Sequence, residues 1–112
     1  MKTIKYVREM VEKTNVKGIA EKNRYGESIV KMCKNKKEFN IYHYGTLILK
    51  INLEKNEPVS FGGAYSHSDR DIINNALDCL GIYPQSYARI KNGSLEVYNK
   101  GVYYVPQTIK QA

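Results

Sequence analysis

The sequence predicts an α+β fold, a single small domain with an antiparallel sheet, an N-terminal helix and a central helix at about residues 68–80. Three observations lead to this prediction. An apolar stripe with helical spacing lies near the N-terminus, a second stripe in mid-chain is flanked by helix start and stop residues, and short β-rich runs alternate with turn residues. Helices and strands arranged in this order are typical of α+β proteins.

The first helix is predicted over residues 3–14, because apolar side chains recur there every three or four positions and charged side chains fill the other face. The apolar positions are Ile4, Val7, Met10 and Val11. The next segment, residues 15–26, contains two glycines and is predicted to be either a loop or a short second helix around residues 19–23.

Strands are predicted next. Residues 25–35 alternate between the two faces of a strand, and residues 39–53 are rich in Ile, Tyr, Leu and Thr, which favour strands. The second run is longer than a typical strand, so Gly45 is expected to form a bulge or a bend within it. A short third strand, VSFGG, ends at two adjacent glycines.

The central helix is predicted from the residues at its ends. Ser68 is the expected N-cap, and Asp71, three positions later, completes a pair that resembles a capping box. Gly81 lies where a C-terminal glycine is expected, and Pro84 prevents the helix from continuing. The polar stretch GGAYSHSDRD, residues 62–71, is therefore explained mainly as a helix start that also offers a docking surface.

The last part of the chain predicts three short antiparallel strands at residues 87–90, 94–98 and 102–105, separated by the turn sequences KNG and NKG. Residues 107–112 are predicted to form a polar tail of the single domain, which spans residues 1–112.

The positive charge is unevenly distributed. The net charge is +7, and residues 1–37 alone hold eleven Lys or Arg against four Glu, whereas the rest of the chain is balanced. This basic N-terminal third indicates an anionic partner, either nucleic acid or an acidic protein surface. A lysine-rich surface that only keeps the protein in solution is the alternative.

Cysteine use and hydrophobicity indicate the compartment. Cys33 and Cys79 are predicted to be buried, reduced thiols. No metal site and no cofactor is expected, because the chain has two His, two Cys and no CxxC pair. No apolar run is long enough to span a membrane and no signal-peptide pattern is present, so a cytoplasmic protein without membrane contact is predicted.

The sequence lacks the motifs that identify common enzymes: a nucleophile elbow, a P-loop, a dinucleotide fingerprint or a Cys–His signature. The groups from which a triad can be drawn are Ser66 or Ser68, His67 and Asp69. Neighbours in sequence rarely converge in this way, because their side chains diverge. We therefore predict a non-enzymatic protein, with a hydrolase that uses His43 or His67 as the alternative.

Tyrosine is unusually frequent, with ten residues in the chain and no Trp. Tyrosines anchor protein interfaces and stack on the bases of single-stranded nucleic acids. Tyr42 and Tyr44 are two positions apart and are expected to share one face of a strand. The alternative is that most of the tyrosines pack in the core and at strand edges.

The segment from about residue 42 to residue 81 resembles a pattern found in short proteins of phages and other mobile elements of low-GC bacteria. In those proteins a strand with Tyr-Gly-Thr and two aliphatic residues leads, after a turn, to a Tyr-Ser-x-Ser/Thr segment that opens a helix. The matching positions are Tyr44, Gly45, Thr46, Leu47 and Ile48, then Tyr65, Ser66, Ser68, Arg70 and Ile72. Some similar small proteins act as anti-CRISPR or other counter-defence inhibitors, so the resemblance implies an inhibitor.

Together these observations predict a phage or mobile-element accessory protein that binds and inhibits a host defence complex, a protein or a ribonucleoprotein. A stand-alone nucleic-acid-binding regulator is the alternative. The predicted partner-binding residues are Tyr42, Tyr44, Tyr65, Ser66, His67 and Arg70. The predicted contacts to nucleic acid or an acidic surface are Lys2, Lys5, Arg8, Lys31, Lys34, Lys36 and Lys37.

Overall fold

The computed structural model describes residues 1–106, which form two helices and two antiparallel sheets. In chain order the elements are α1 (Lys5–Lys17), β1 (Ile19–Arg24), β2 (Glu27–Lys34), β3 (Glu38–His43), β4 (Thr46–Asn52), β5 (Glu57–Ser60), α2 (His67–Cys79), β6 (Ser86–Lys91), β7 (Ser94–Asn99) and β8 (Val102–Tyr104). Strands β1 to β5 form one sheet in sequential order, and β6, β7 and β8 form a second. The predicted α+β fold with an N-terminal and a central helix is confirmed. The predicted polar tail, residues 107–112, lies outside the described residues.

Helix α1 packs on one face of the five-stranded sheet, against β1 and β2. Its buried side chains recur at helical spacing and form the stripe predicted for an amphipathic helix. They are Val7, Met10, Val11 and Thr14. The helix ends at Gly18, whose left-handed φ of 85° lets its N–H donate to Thr14 O.

Helix α2 is buried on nearly all sides, because it lies between α1, β4 and β6. Two adjacent asparagines tie it to its neighbours. The Asn74 amide exchanges two hydrogen bonds with the backbone of Ala88 in β6, at 2.8 and 2.9 Å. The Asn75 amide donates to Lys2 O at 2.7 Å and accepts from Ile4 N at 2.9 Å. The N-terminal segment is thereby fastened to α2.

The prediction of a loop or short helix for residues 15–26 is wrong, because residues 19–24 form strand β1, paired antiparallel with β2. Ala20 is buried while its neighbours in the strand are exposed, so this segment follows the two-residue period of a sheet. Glycines with positive φ, Gly18 and Gly26, end the strand on each side.

The single long strand predicted over residues 39–53 is wrong. Tyr44 and Gly45 have φ of 50° and 80° and form a tight turn between β3 and β4. Positive φ at both central residues is the geometry that suits a two-residue hairpin. Tyr42 therefore lies in β3 and Tyr44 in the turn, so the two do not share a strand face as predicted.

The N-cap of helix α2 lies two residues earlier than predicted. Its N-cap is Ser66, whose Oγ accepts from Asp69 N, and the Asp69 carboxylate accepts from Ser66 N to complete a capping box. The assignment of this role to Ser68 and Asp71 is therefore wrong. The predicted stop is confirmed, since Gly81 has a φ of 75° directly after the C-cap residue.

The three-stranded meander at the end of the chain is confirmed, with turns at Asn92–Gly93 and Lys100–Gly101. The prediction of two buried thiols is wrong, because Cys79 is exposed and Cys33 is partly exposed. In the part of the chain that the structure describes, neither helix has the length and apolar character needed to span a bilayer.

Candidate functional site

Two open clefts meet at the end of the five-stranded sheet where the β1–β2 and β3–β4 turns lie. The larger, of about 290 Å³, is called the basic cleft because Lys2, Lys22 and Arg24 line it. The smaller, of about 230 Å³, lies against the first turn of α2 and is called the helix-start cleft. The two clefts share His43, Tyr44 and Ser68. Together they are called the groove.

His43, the last residue of β3, is hydrogen bonded to Asp69 in the first turn of α2. The His43 Nδ1 and Asp69 Oδ1 atoms are 2.6 Å apart. The His43 side chain is 12% exposed and the Asp69 side chain 5% exposed, so the contact is largely shielded from water. This pair joins the sheet to the start of α2 where the two clefts meet.

Backbone N–H groups at the N-terminus of α2 stabilise the ionised form of the Asp69 side chain. Its Oδ2 accepts from the backbone N–H groups of Tyr65 and Ser66, at 3.0 and 3.2 Å. Burial alone would raise the pKa of the Asp69 carboxyl, but hydrogen bonds from the Tyr65 backbone, the His43 ring and Ser66 hold that pKa below its usual value. Asp69 is therefore an anion at neutral pH.

The carboxylate fixes the tautomer of His43. An ionised carboxylate only accepts hydrogen bonds, so the proton of the neutral ring must lie on Nδ1. The other nitrogen, Nε2, then carries a lone pair, and it has no hydrogen-bond partner among residues 1–106. The His43 ring lies 4.7 Å from the Tyr44 ring, tilted by 36°. The groove is therefore supplied with an oriented proton acceptor.

The cations of the basic cleft are available to a ligand. In the described residues, Lys2, Lys22 and Arg24 form no ion pair with a carboxylate. Asp71 also lines this cleft, but it is neutralised by Arg70 at 3.0 Å. Three unpaired positive charges facing one cleft create a positive potential that attracts anions.

Aromatic rings form the other part of the basic cleft. The Lys22 Nζ lies 4.7 Å from the centre of the Tyr6 ring, which places a cation over an aromatic face. Burial and the neighbouring Tyr44 raise the pKa of the Tyr6 hydroxyl, so it stays protonated at neutral pH. The cleft therefore combines positive charge with ring faces and hydroxyl donors.

Both turns at this end of the sheet place a tyrosine in a left-handed conformation. Tyr25 and Tyr44 have φ of 52° and 50°, each directly before a glycine. On the second sheet the same turn position is occupied by Asn92, the type of residue that tolerates this conformation, and by Lys100, which like tyrosine is not. A left-handed backbone costs an ordinary residue about 1–2 kcal/mol. Such strain is concentrated at functional sites.

Comparison of the chain with protein-family models, curated proteins and solved structures finds no match. Similarity to known proteins therefore assigns no role to any residue of the groove. Over residues 1–106, no three His, Cys, Asp or Glu side chains converge in an arrangement that could hold a metal ion.

The groove contains some of the predicted partner-binding residues, namely Tyr44, Tyr65 and Ser66. Tyr42 precedes His43 in an extended strand and so points to the opposite face of the sheet. His67 is exposed at the start of α2 and lines neither cleft. Arg70 is engaged with Asp71.

Of the seven predicted basic contacts, only Lys2 lines the basic cleft. Arg8 is engaged by Asp78 at 2.9 Å in the contact between the two helices. Lys36 and Lys37 lie in the β2–β3 turn, at the far end of β2, whose eight residues span about 26 Å. The remaining positions are Lys5 at the start of α1, Lys31 within β2 and Lys34 at its end.

The sequence-based prediction missed Lys22, Arg24 and Tyr6 as members of a common cleft. Lys22 and Arg24 were counted only as part of the basic third, because their segment was not recognised as a strand. Because side chains two positions apart in a strand lie on the same face, recognising β1 would have placed Lys22 and Arg24 on one face of the sheet. The role of Asp69 as a partner of His43 has no local signal, since 26 residues separate the two.

A second aromatic group lies on the three-stranded sheet, where tyrosine rings contact one another. Tyr87 stacks on Tyr98 with ring centres 5.2 Å apart, and its hydroxyl is 2.5 Å from that of Tyr103. Arg89 lies 3.5 Å over the Tyr103 ring and is paired with Glu96. Because Glu96 already neutralises Arg89, this cluster offers less unpaired positive charge than the groove.

Proposed function

We propose that the protein binds a single-stranded nucleic acid in the groove. The observation that supports this proposal is the presence of three unpaired cations, Lys2, Lys22 and Arg24, in the same cleft as the rings of Tyr6 and Tyr44. Phosphate groups are bound by lysine and arginine, and exposed bases stack on aromatic side chains.

A single strand fits this arrangement better than a duplex. Aromatic side chains can stack only on bases that are not already stacked and paired. Bases of a single strand are available for this contact, and its flexible backbone can follow a short cleft lined by cations. The basic cleft therefore favours a short stretch of unpaired RNA or DNA.

Binding to labelled single-stranded oligonucleotides, measured by fluorescence anisotropy over a range of salt concentrations, tests the proposal. If three cations contact phosphates, the logarithm of the association constant should fall against the logarithm of salt with a slope of about −2. The double variant Lys22→Ala/Arg24→Ala should weaken binding strongly. The double variant Lys36→Ala/Lys37→Ala removes the same charge at the far end of the sheet and should bind as the wild type does.

Two results would contradict the proposal. The first is the absence of binding to any single-stranded RNA or DNA at low salt. The second is an equal loss of affinity in the two double variants, because net charge and not the basic cleft would then explain the binding.

A second candidate function is binding of a host protein or ribonucleoprotein, as in the inhibition of a defence complex. It is supported by three strongly exposed tyrosines around the groove: Tyr25 is 98%, Tyr65 74% and Tyr44 65% exposed. Tyrosines are enriched among the residues that contribute most to protein interfaces. The inhibition of a defence complex itself stays a prediction.

Affinity capture from a bacterial lysate, with and without nuclease treatment, separates the two functions. A protein partner that stays bound after nuclease treatment and is lost from a Tyr25→Ser/Tyr65→Ser variant would support the second candidate. Partners that disappear with nuclease would support binding through nucleic acid.

A further inference from the structure

The hydrogen bond between His43 and Asp69 leaves His43 Nε2 as an unpaired proton acceptor where the two clefts meet. A histidine oriented by a carboxylate through Nδ1 is the arrangement by which proteins position a general base. The same ring lines a cleft that holds three unpaired cations. A proton acceptor in the same cleft as cations that, under the proposed function, bind phosphate is a suitable environment for chemistry on a phosphodiester.

We infer that the groove cleaves single-stranded RNA, with His43 Nε2 as the general base for a ribose 2′-hydroxyl. This inference rests on the proposed function, since the strand must first bind in the basic cleft. It adds a reaction and a substrate class, because DNA lacks the 2′-hydroxyl that the base would activate.

The reaction is an internal transfer of the phosphodiester. His43 Nε2 takes the proton of the 2′-hydroxyl, the 2′ oxygen forms a bond to the adjacent phosphorus, and the bond from phosphorus to the 5′ oxygen breaks. The leaving 5′ oxygen takes a proton from water in the open groove, and the hydroxide that remains takes the proton from His43. The products are a 2′,3′-cyclic phosphate and a 5′-hydroxyl end.

The cations of the basic cleft would assist this step. Negative charge increases on the phosphate oxygens as the new bond forms, and fixed positive groups beside those oxygens stabilise the charge. Lys22 is already held over the Tyr6 ring, so its ammonium group is positioned before the strand binds. Preorganised charge of this kind costs no rearrangement during the reaction.

The hydrogen bond to Asp69 also ties β3 to α2, so a test must separate a structural role from a chemical one. The variant His43→Asn does this. The asparagine Nδ2 can donate to Asp69 as the histidine Nδ1 does, but the variant has no equivalent of Nε2. His67→Ala is the matched control, because His67 lines neither cleft.

The experiment incubates the full chain with a labelled DNA oligonucleotide that contains a single ribonucleotide, in EDTA, and follows cleavage on a denaturing gel. Cleavage is expected only after the ribonucleotide, with a 2′,3′-cyclic phosphate end. His43→Asn should reduce the rate about 10²- to 10⁴-fold, the range for loss of a general base, with unchanged affinity and melting temperature. His67→Ala should retain the wild-type rate.

Binding without cleavage would overturn the inference and leave the proposed function standing. Cleavage that persists in His43→Asn would overturn it as well. If the chain neither binds nor cleaves the oligonucleotide, both the inference and the proposed function fail.

Discussion

Replacing Asn75 by Ala should loosen the N-terminal segment from α2. The Asn75 side chain is fully buried and makes four hydrogen bonds. Three of them reach outside the helix: Nδ2 donates to Lys2 O, and Oδ1 accepts from Ile4 N and from Arg8 Nε at 3.1 Å. The fourth is to Asp71 O within α2.

The expected loss of stability follows from the three external bonds. A hydrogen bond contributes about 1 kcal/mol net, so their removal costs about 3 kcal/mol. Alanine has a higher helix propensity than asparagine, which offsets about 0.5 kcal/mol of this loss. The free energy of unfolding should therefore fall by about 2.5 kcal/mol. At about 4 °C per kcal/mol for a chain of this size, the melting temperature should fall by about 10 °C.

Thermal unfolding followed by circular dichroism measures this change. Asn15→Ala is the matched control, because Asn15 is exposed in α1 and its bond from Lys34 Nζ, at 3.2 Å, is also exposed. It should change the free energy of unfolding by less than about 0.5 kcal/mol. Equal melting temperatures for Asn75→Ala and Asn15→Ala would refute the reasoning. Because Lys2 lines the basic cleft, Asn75→Ala should also weaken oligonucleotide binding.

Five further substitutions test three features of the fold by urea unfolding. Ser66→Ala should cost about 1 kcal/mol because Ser66 caps α2, whereas Ser68→Ala should cost less than about 0.5 kcal/mol. Gly62→Ala should lower the free energy of unfolding by about 3–4 kcal/mol, because the φ of Gly62 is +49° and an added Cβ would overlap a carbonyl oxygen of β4. Gly93 also has a positive φ, but the space around it is open, so Gly93→Ala should lower the free energy of unfolding by only about 1–2 kcal/mol. The folded pKa of Asp69 lies below its unfolded value, so its stabilisation is present above the ordinary Asp pKa and is lost as the pH falls through the lower, folded pKa. The difference in stability between the wild type and Asp69→Asn should therefore shrink as the solution is acidified.

Opposite results would contradict specific statements. Equal costs for Ser66→Ala and Ser68→Ala would show that the cap is misassigned. Equal costs for the two glycine substitutions would show that crowding at Gly62 is unimportant. If the free energy of unfolding differed between the wild type and Asp69→Asn by the same amount at every pH, the hydrogen bonds of the Asp69 carboxylate would not stabilise the fold.

The features that could be predicted from the sequence depend on local patterns. Both helices and the final meander follow from apolar periodicity and from glycine at the turns. The α2 cap was misplaced because Ser66 and Ser68 are each followed by an aspartate three positions later. The structure favours the first pair, since the Asp69 carboxylate can then reach the backbone of Tyr65 and the ring of His43. Only the fold decides between two equal local patterns.

The hairpin between β3 and β4 was missed for a different reason. Its turn is Tyr44–Gly45, and tyrosine is not a residue that predicts a left-handed turn position. The groove itself could not be predicted from the sequence, because Lys2, Lys22 and His43 come from three separate segments and meet only after the sheet has formed. Charge distribution in the sequence indicated a basic region but not which of its cations lie together.

The pair of hydrogen bonds from Asn74 to Ala88 also bears on how the protein behaves at high concentration. Among the described strands, β6 lies at the border of its sheet, where unpaired backbone groups can recruit a strand from another molecule. The Asn74 amide occupies both the N–H and the C=O of Ala88, as a neighbouring peptide group would. An internal side chain thus fills the bonding position of Ala88, and a strand from another molecule could not pair with this residue without displacing it.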